Sequence, residues 1–157
     1  YLKRTGLTGR LIMEYRTIDN DNIGILAEIF TDSFNDRPWN DEWTNDTAKI
    51  RLEQMLSGSA AYGFAAYENG EPCGLAIGCF EQYYDGIVFN LREFCVKNTL
   101  RGKGVGAVIY SELERKLKEK GVKEITLNTL RGRATEGFYE KLGMTRSESI
   151  VVMTKKI

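Results

Sequence analysis

A glycine-rich turn between a predicted strand and a predicted helix is the segment best suited to bind an anion. It reads Arg101-Gly102-Lys103-Gly104-Val105-Gly106 and follows the strand that ends near Val96. Glycine lets backbone N–H groups approach a ligand closely, and the N-terminus of a helix carries about half a positive charge. Arg101 and Lys103 add full charges. The turn therefore predicts a phosphate or pyrophosphate site.

Two nucleotide-binding motifs and one structural interpretation compete for this turn. A Walker A loop needs Gly-Lys followed by Ser or Thr, and Gly104 follows Lys103, so that motif fails. The dinucleotide pattern G-x-G-x-x-A is met by Gly102, Gly104 and Ala107, but the turn lies four residues beyond its strand and the next strand does not end in an acid. A glycine-rich helix start with solvated basic side chains is the structural interpretation, although glycine is costly there unless something uses it.

The composition restricts the chemistry that this chain can perform. Its 157 residues include no histidine, which excludes Ser-His-Asp and Cys-His triads, a His base and the usual zinc sites. We therefore expect no metal, and catalysis by carboxylates, Tyr, Cys, Lys or backbone dipoles. Lys plus Arg and Asp plus Glu both number 22, so the net charge is zero and no nucleic-acid partner is expected.

The cysteines and the short apolar runs bear on the compartment. The chain has three cysteines, an odd number, and no CxxC pair: Cys73, Cys79 and Cys95. We therefore expect no disulfide framework, and a reducing, cytoplasmic setting. No run is long enough for a membrane span or signal peptide. The length predicts a single domain over 13–157, preceded by 1–12 as an N-terminal extension or a tail left by cloning. A homodimer is compatible with these features.

Hydrophobic periodicity and turn signals predict an α+β layout around one mixed sheet, in the order β-α-α-β-β-β-α-β-α-β. We expect strands at 14–18, 60–68, 72–83, 87–96, 124–128 and 144–154, and helices at about 21–34, 44–57, 105–120 and 134–142. Side chains of 19–22 and of Thr44 are expected to cap the first two helices, Asn69-Gly70 to form a hairpin turn, and Gly121 to end the third helix.

The same periodicity predicts which side chains face the core. The expected buried sets are Ile25, Leu26, Ile29 and Phe30 in the first helix, Ile50, Leu52, Met55 and Leu56 in the second, and Val105, Val108, Ile109, Leu113 and Leu117 in the third. Strand alternation places Leu91, Glu93 and Cys95 on one face.

The glycine turn resembles the acetyl-coenzyme A signature of the GNAT superfamily of N-acetyltransferases, R/Q-x-x-G-x-G/A, through Arg101, Gly104 and Gly106. Residues 91–96 (LREFCV) are similar to the fourth strand of that family, and 137–144 (GFYEKLGM) to its last helix and turn. The resemblance covers 13–157. It implies a GNAT-like mixed, mostly antiparallel sheet flanked by helices, with acetyl-coenzyme A as cosubstrate.

The resemblance also implies which residues bind the cofactor. The backbone of Phe94, Cys95 and Val96 would pair with the pantetheine arm, and Phe138 would pack beside it. The pyrophosphate would be held by amides of Arg101, Gly102, Lys103, Gly104, Val105 and Gly106. One departure is that 129–134 (TLRGRA) lacks the Asn that many relatives use for the pantetheine. Either Asn128 replaces it or the contact is absent, and Arg131 and Arg133 are alternative phosphate ligands.

Tyr139 and Glu93 are the expected catalytic residues. The resemblance places Tyr139 where many members carry the acid that protonates the leaving thiolate, and packing alone is the alternative. Glu93 could accept the ammonium proton through water, or could be a salt-bridged or substrate-anchoring residue. Cys95 is expected to be inert, with an acetyl-cysteine route as the alternative.

The predicted function is that of an acetyl-coenzyme A-dependent N-acetyltransferase, in which a small amine attacks directly in a ternary complex. The alternative is a noncatalytic cofactor-binding or sensing domain. The acidic, Trp-bearing loop 35–43 resembles that of aminoglycoside-modifying members. A cationic acceptor would be attracted by the predicted rim acids Asp36, Asp41, Glu42, Glu81 and Asp85.

Overall fold

A five-stranded sheet with two helices on one face and one long helix on the other forms the body of the protein. The computed structural model describes residues 12–157, so nearly all of the predicted extension 1–12 lies outside the described residues. The strands are β1 (Met13–Arg16), β2 (Ala61–Glu68), β3 (Glu71–Tyr83), β4 (Gly86–Val96) and β5 (Val122–Leu127). The helices are α1 (Ile23–Asn35), α2 (Asn45–Leu56), α3 (Val105–Glu119) and α4 (Glu136–Lys141), with one 3₁₀ turn at Asn98–Leu100.

The sheet is mixed, as predicted, and its strands follow chain order from β1 to β5. Neighbours from β1 to β4 are antiparallel, whereas β4 and β5 are parallel and joined through α3. At the β2–β3 turn Asn69 and Gly70 both have positive φ, at 52° and 82°. Two consecutive left-handed residues match the twist of a tight hairpin, which confirms the predicted turn.

A β-bulge in β4 changes which side chains share a face. Ile77 pairs with Glu93 and Gly78 pairs with Leu91, so Arg92 is the extra residue. Leu91 consequently packs with the α3 side of the sheet, whereas Cys95 packs with α1 and α2. The prediction that Leu91, Glu93 and Cys95 share one face is therefore wrong for Leu91, because simple alternation assumes an unbroken ladder.

Two of the three predicted helix ends have the expected structure. The Thr44 side chain and Thr47 form a reciprocal capping box, and Gly121 ends α3 with φ 77°. The predicted side-chain cap of the first helix is wrong. Asn22 is the N-cap residue of α1, but its side chain bonds Thr17 O and Asp19 N and not the backbone of the helix.

Three predicted core positions are exposed, because the contact with the sheet is narrower than the apolar stripe. Ile25, Ile50 and Val108 are 42%, 52% and 42% exposed. Ala48 and Tyr110 are buried in α2 and α3.

The predicted last strand at 144–154 is wrong, since 144–157 contains no strand and Ile150 to Met153 are exposed. The segment is tied to α4 instead of to β5. Met144 N donates to Tyr139 O at 3.1 Å, and Arg146 Nε donates to a Glu136 carboxylate oxygen at 2.8 Å. Strand propensity alone does not form a ladder without a paired edge. Among residues 12–157, no helix is long and apolar enough to cross a membrane.

Candidate active site

A cavity of about 510 Å³ opens where β4 and β5 separate. The parallel pairing runs only from Ile87 with Val122 to Leu91 with Leu127. Beyond the bulge, the β4 backbone at Phe94–Val96 pairs with β3 alone, and no strand pairs with its other edge. On that edge Ser33 Oγ donates to Val96 O at 3.1 Å. An open strand edge offers N–H and C=O groups to an extended ligand. The walls comprise β4, the glycine turn with the start of α3, the segment before and including α4, and the end of α1 with the loop after it.

The glycine turn presents free backbone donors to this cavity. Gly102 and Gly104 have φ of 72° and 84°, a region that side-chain-bearing residues rarely adopt. Within residues 12–157, the amides of Gly104 and Val105 find no acceptor, while the Arg101 amide donates to Asn98 O at 3.2 Å. Val105 begins α3, so the helix dipole adds positive potential at the same point. The turn can therefore hold an anion, with Gly104 rather than Arg101 at its centre.

Gly106 is required for a different reason from Gly104. A Cβ at Gly106 would lie 3.3 Å from the ring of Phe138 and 3.6 Å from Val96. The absence of a side chain thus lets α4 approach the start of α3. No atom would contact a Cβ at Gly104 within 4 Å, so only its backbone conformation demands glycine.

Four aromatic rings surround the open edge of β4. Phe94 stacks on Phe138 with ring centroids 5.8 Å apart, and Tyr139 contacts Phe138 edge-on at 5.0 Å. Tyr110 from α3 lies 6.1 Å from Tyr139, also edge-on. The pKa of Tyr139 lies well above its usual value, chiefly because the side chain is buried, and the nearby Tyr110 raises this pKa further. Within the described part of the chain the Tyr139 hydroxyl makes no hydrogen bond, so a protonated donor is available to the cavity.

Glu93 forms an ion pair, one of the alternatives that the sequence left open, with a partner that the sequence did not indicate. Arg51 of α2 donates from Nε and Nη2 to the same carboxylate oxygen, Oε1, at 2.8 and 2.7 Å. Glu93 is only 7% exposed. Burial raises its pKa, and the Arg51 contact opposes that rise. Glu93 does not line the cavity; it lies on the α1–α2 face, one strand position from Phe94. Oε2 has no hydrogen bond in residues 12–157 and can accept one.

The Arg101 side chain turns away from the cavity's phosphate end and contacts the end of α1. Nη2 donates to Ser33 O at 2.6 Å, and Nη1 to Arg37 O at 3.2 Å. Nη1 also pairs with Asp36 at 3.3 Å, and the guanidinium lies 5.8 Å from the centre of the Trp39 ring. These partners are 62 to 68 residues away in sequence, so no local signal indicated them.

The remaining predicted residues are distributed unevenly around the cavity. Arg133 lines it, whereas Asn128 and Arg131 do not. Cys95 is buried, which raises the pKa of its thiol to about 12 and disfavours the nucleophilic thiolate. No group of three or more potential metal ligands occurs in residues 12–157.

The predicted rim acids have different environments. Asp41 accepts from Trp43 Nε1 at 3.0 Å, and Glu81 accepts from Asn90 Nδ2 at 3.2 Å. Asp36 is paired with Arg101, as described above. Glu42 and Asp85 are exposed and form no ion pair within 12–157. None of the five lines the cavity, so any attraction of a cation would act at its approaches.

Comparison with known proteins identifies the family to which this geometry corresponds. The model of the acetyltransferase (GNAT) family matches residues 24–144. A possible acetyltransferase from Clostridium difficile superposes with a TM-score of 0.77 at 14% identity, covering 94% of this chain and 99% of that one. An aminoglycoside N-acetyltransferase in complex with CoA gives 0.71 at 18% identity, covering 96% and 99%.

A third structure is that of a protein from Clostridium acetobutylicum, described as a predicted acetyltransferase, with acetyl-CoA. Its TM-score is 0.70 at 19% identity, and the match covers 91% of this chain and 96% of that one. At these identities the structural matches establish the shared fold, while the family model covers most of the chain, including β4, the turn and α4.

Proposed function

The chain belongs to the GNAT family of acetyltransferases, and on that premise we propose that it transfers the acetyl group of acetyl-coenzyme A to a small amine. The observation that carries the proposal is the adjacency of two open backbone surfaces. The edge of Phe94–Val96 that no strand covers lines the same cavity as the glycine turn, whose Gly104 and Val105 amides are free in residues 12–157. One surface suits an extended amide-bearing chain and the other suits a pyrophosphate.

The residues that hold the cosubstrate follow from this arrangement. The amides of Gly102 and of 104–106 bind the pyrophosphate, supported by the dipole of α3 and the charge of Lys103, and Arg133 approaches from the α4 side. The Lys103 amide is not among them, because it donates to Leu100 O at 3.4 Å. The strand edge binds the pantetheine arm, and Phe138 covers it. A charge-assisted hydrogen bond contributes about 1.5–3 kcal/mol, so a few such amides can supply most of the affinity.

Tyr139 acts as general acid in the proposed reaction. The acceptor nitrogen forms a bond to the acetyl carbon, the carbon–sulfur bond breaks, and the Tyr139 hydroxyl gives its proton to the departing sulfur. The nitrogen gives up one N–H proton to water as it becomes the amide. Solvent then restores the phenol. Burial keeps Tyr139 protonated at rest. The same low-dielectric surroundings raise the pKa of a thiolate formed there, which keeps donor and acceptor matched.

Glu93 handles the proton of the incoming ammonium. Arg51 donates to Oε1 and favours the carboxylate form of Glu93, which opposes the effect of burial on its pKa. The other oxygen, Oε2, accepts the proton through water, because the carboxylate lies beside the cavity instead of inside it. Cys95 takes no part in this direct route, since its buried thiol is held protonated.

The experiment that tests the function is an acceptor screen with a thiol-release assay. Cationic small amines, including aminoglycosides, are compared with neutral and acidic amines, using Tyr139→Phe as the matched control. Turnover by the wild type that drops sharply in the variant supports the proposal. Tight coenzyme A binding without turnover of any amine would indicate a noncatalytic cofactor-binding domain, and no binding would refute the cosubstrate assignment.

A further inference from the structure

Arg101 joins the phosphate-binding turn to the end of α1. Its side chain donates to the carbonyls of Ser33 and Arg37 and pairs with the Asp36 carboxylate. The Arg101 side chain is 31% exposed, whereas the Asp36 side chain is 56% exposed. The ion pair with Asp36 is therefore the contact of Arg101 most accessible to water. Every hydrogen-bond partner of the guanidinium within residues 12–157 thus lies between 33 and 37.

The end of α1 needs such a partner. The last carbonyls of a helix have no intrahelical donor, and the helix dipole is negative there. The last turn of α1 contains no basic residue of its own. The positively charged guanidinium of Arg101 places several N–H donors at this point, and Asn98 Nδ2 donates to Asp32 O at 2.9 Å. The turn region therefore caps α1 from outside the helix.

The segment held in this way forms a wall of the cavity. Phe34, Pro38 and Trp39 line the space, and Phe34 packs edge-on against Trp39 with ring centroids 5.1 Å apart. This wall lines the same cavity as Phe138 and Tyr139 of α4, and in the proposed reaction the acceptor must approach the acetyl group beside Tyr139. The Arg101 side chain holds this wall through hydrogen bonds, whereas the backbone amides of the turn form the anion site.

We propose that Arg101 is a positioning residue that fastens the acceptor-side wall, residues 33–39, to the phosphate-binding turn. The proposal rests on the proposed function for its acceptor. Two neighbouring cations then have different roles, since the Arg101 side chain orders the wall whereas Lys103 attracts the phosphates.

The test compares Arg101→Met with Lys103→Met. Both variants remove one positive charge, and within 12–157 Lys103 is exposed and forms no ion pair. Hydrogen–deuterium exchange of peptides covering 33–41 is measured in ligand-free protein, and coenzyme A affinity is measured by calorimetry. Arg101→Met should speed exchange in 33–41 by about tenfold, with a Kd within about threefold of wild type. Lys103→Met should leave exchange unchanged and weaken Kd by more than the Arg101 variant does. Arg101→Lys should not restore protection, because an ammonium lacks the planar fork.

Acceptor kinetics distinguish positioning from mere stabilisation. With an amine found in the screen, Arg101→Met should raise the acceptor KM by about tenfold and change the acetyl-coenzyme A KM by less than about threefold. Unchanged exchange at 33–41 overturns the proposal, as does faster exchange with an unchanged acceptor KM. A larger loss of coenzyme A affinity than in Lys103→Met would make Arg101 a phosphate ligand instead. The exchange measurement uses ligand-free protein, so it stands even if no wild-type turnover is found, which would refute only the proposed function.

Discussion

Replacing Arg51 leaves the buried carboxyl group of Glu93 without its ion-pair partner, and the resulting loss in the free energy of unfolding should depend on pH. Arg51→Met keeps the length of the side chain and removes both donors to Glu93 Oε1. Breaking a buried ion pair from one side costs about 3–5 kcal/mol. The Arg51 side chain is 32% exposed, so water screens the pair, and we expect a coupling energy of about 2 kcal/mol at alkaline pH. In a domain of this size that corresponds to about 4–8 °C in Tm.

The sign of the pH dependence follows from the raised pKa of Glu93. Its folded-state pKa lies above the ordinary value of 4.5, chiefly because of burial. The carboxyl therefore lowers the free energy of unfolding as pH rises from the unfolded-state pKa through the folded-state pKa. Without Arg51 the folded-state pKa rises further, so this loss is larger and extends to higher pH. The coupling between Arg51 and Glu93 needs the carboxylate, and it disappears as pH falls through the folded-state pKa.

A double-mutant cycle measures this coupling directly. Wild type, Arg51→Met, Glu93→Gln and the double variant are unfolded with urea across a pH series, and the interaction energy is taken at each pH. Glu93→Gln is the matched control, because it removes the charge and nearly preserves the shape. A coupling energy below about 0.5 kcal/mol at alkaline pH, or one that does not decrease on acidification, would refute the ion-pair argument.

Three further predictions concern the cavity. Gly104→Glu should weaken coenzyme A binding at least tenfold, about 1.4 kcal/mol by calorimetry, and Gly104→Ala should weaken it less; equal losses would exclude a charge effect. Tyr139→Phe should retain coenzyme A affinity and lower single-turnover rates by about 10²–10⁴, whereas an unchanged rate would leave Tyr139 only a packing role. Iodoacetamide should alkylate Cys79 first, because Cys79 is only partly buried whereas Cys73 and Cys95 are buried. Burial raises the pKa of all three thiols, to about 11 for Cys73 and about 12 for Cys95; rapid labelling of Cys95, followed by peptide mass spectrometry, would contradict this.

Features that depend on a few neighbouring residues could be predicted from the sequence. The hairpin at Asn69-Gly70, the cap at Thr44 and the helix end at Gly121 each depend on local backbone conformation, and the structure has all three. Two ion pairs of α3, Glu112 with Lys116 and Glu114 with Lys118, also follow from helical spacing, although the Glu112 side chain is only 18% exposed. The glycine turn belongs to the same class, because its φ angles and free amides are properties of six consecutive residues.

Features that depend on distant partners were decided only by the tertiary structure. Glu93 meets an arginine 42 residues earlier in the chain, and Arg101 meets carbonyls more than 60 residues earlier. The bulge at Arg92 moves Leu91 to the other face, and 144–154 contacts α4 without joining the sheet. Local propensity and spacing set how each segment bends. Packing and hydrogen bonding between segments decide which side chains meet. The sequence shows that residue 93 is a glutamate, but it does not show whether an arginine or water lies beside the carboxylate.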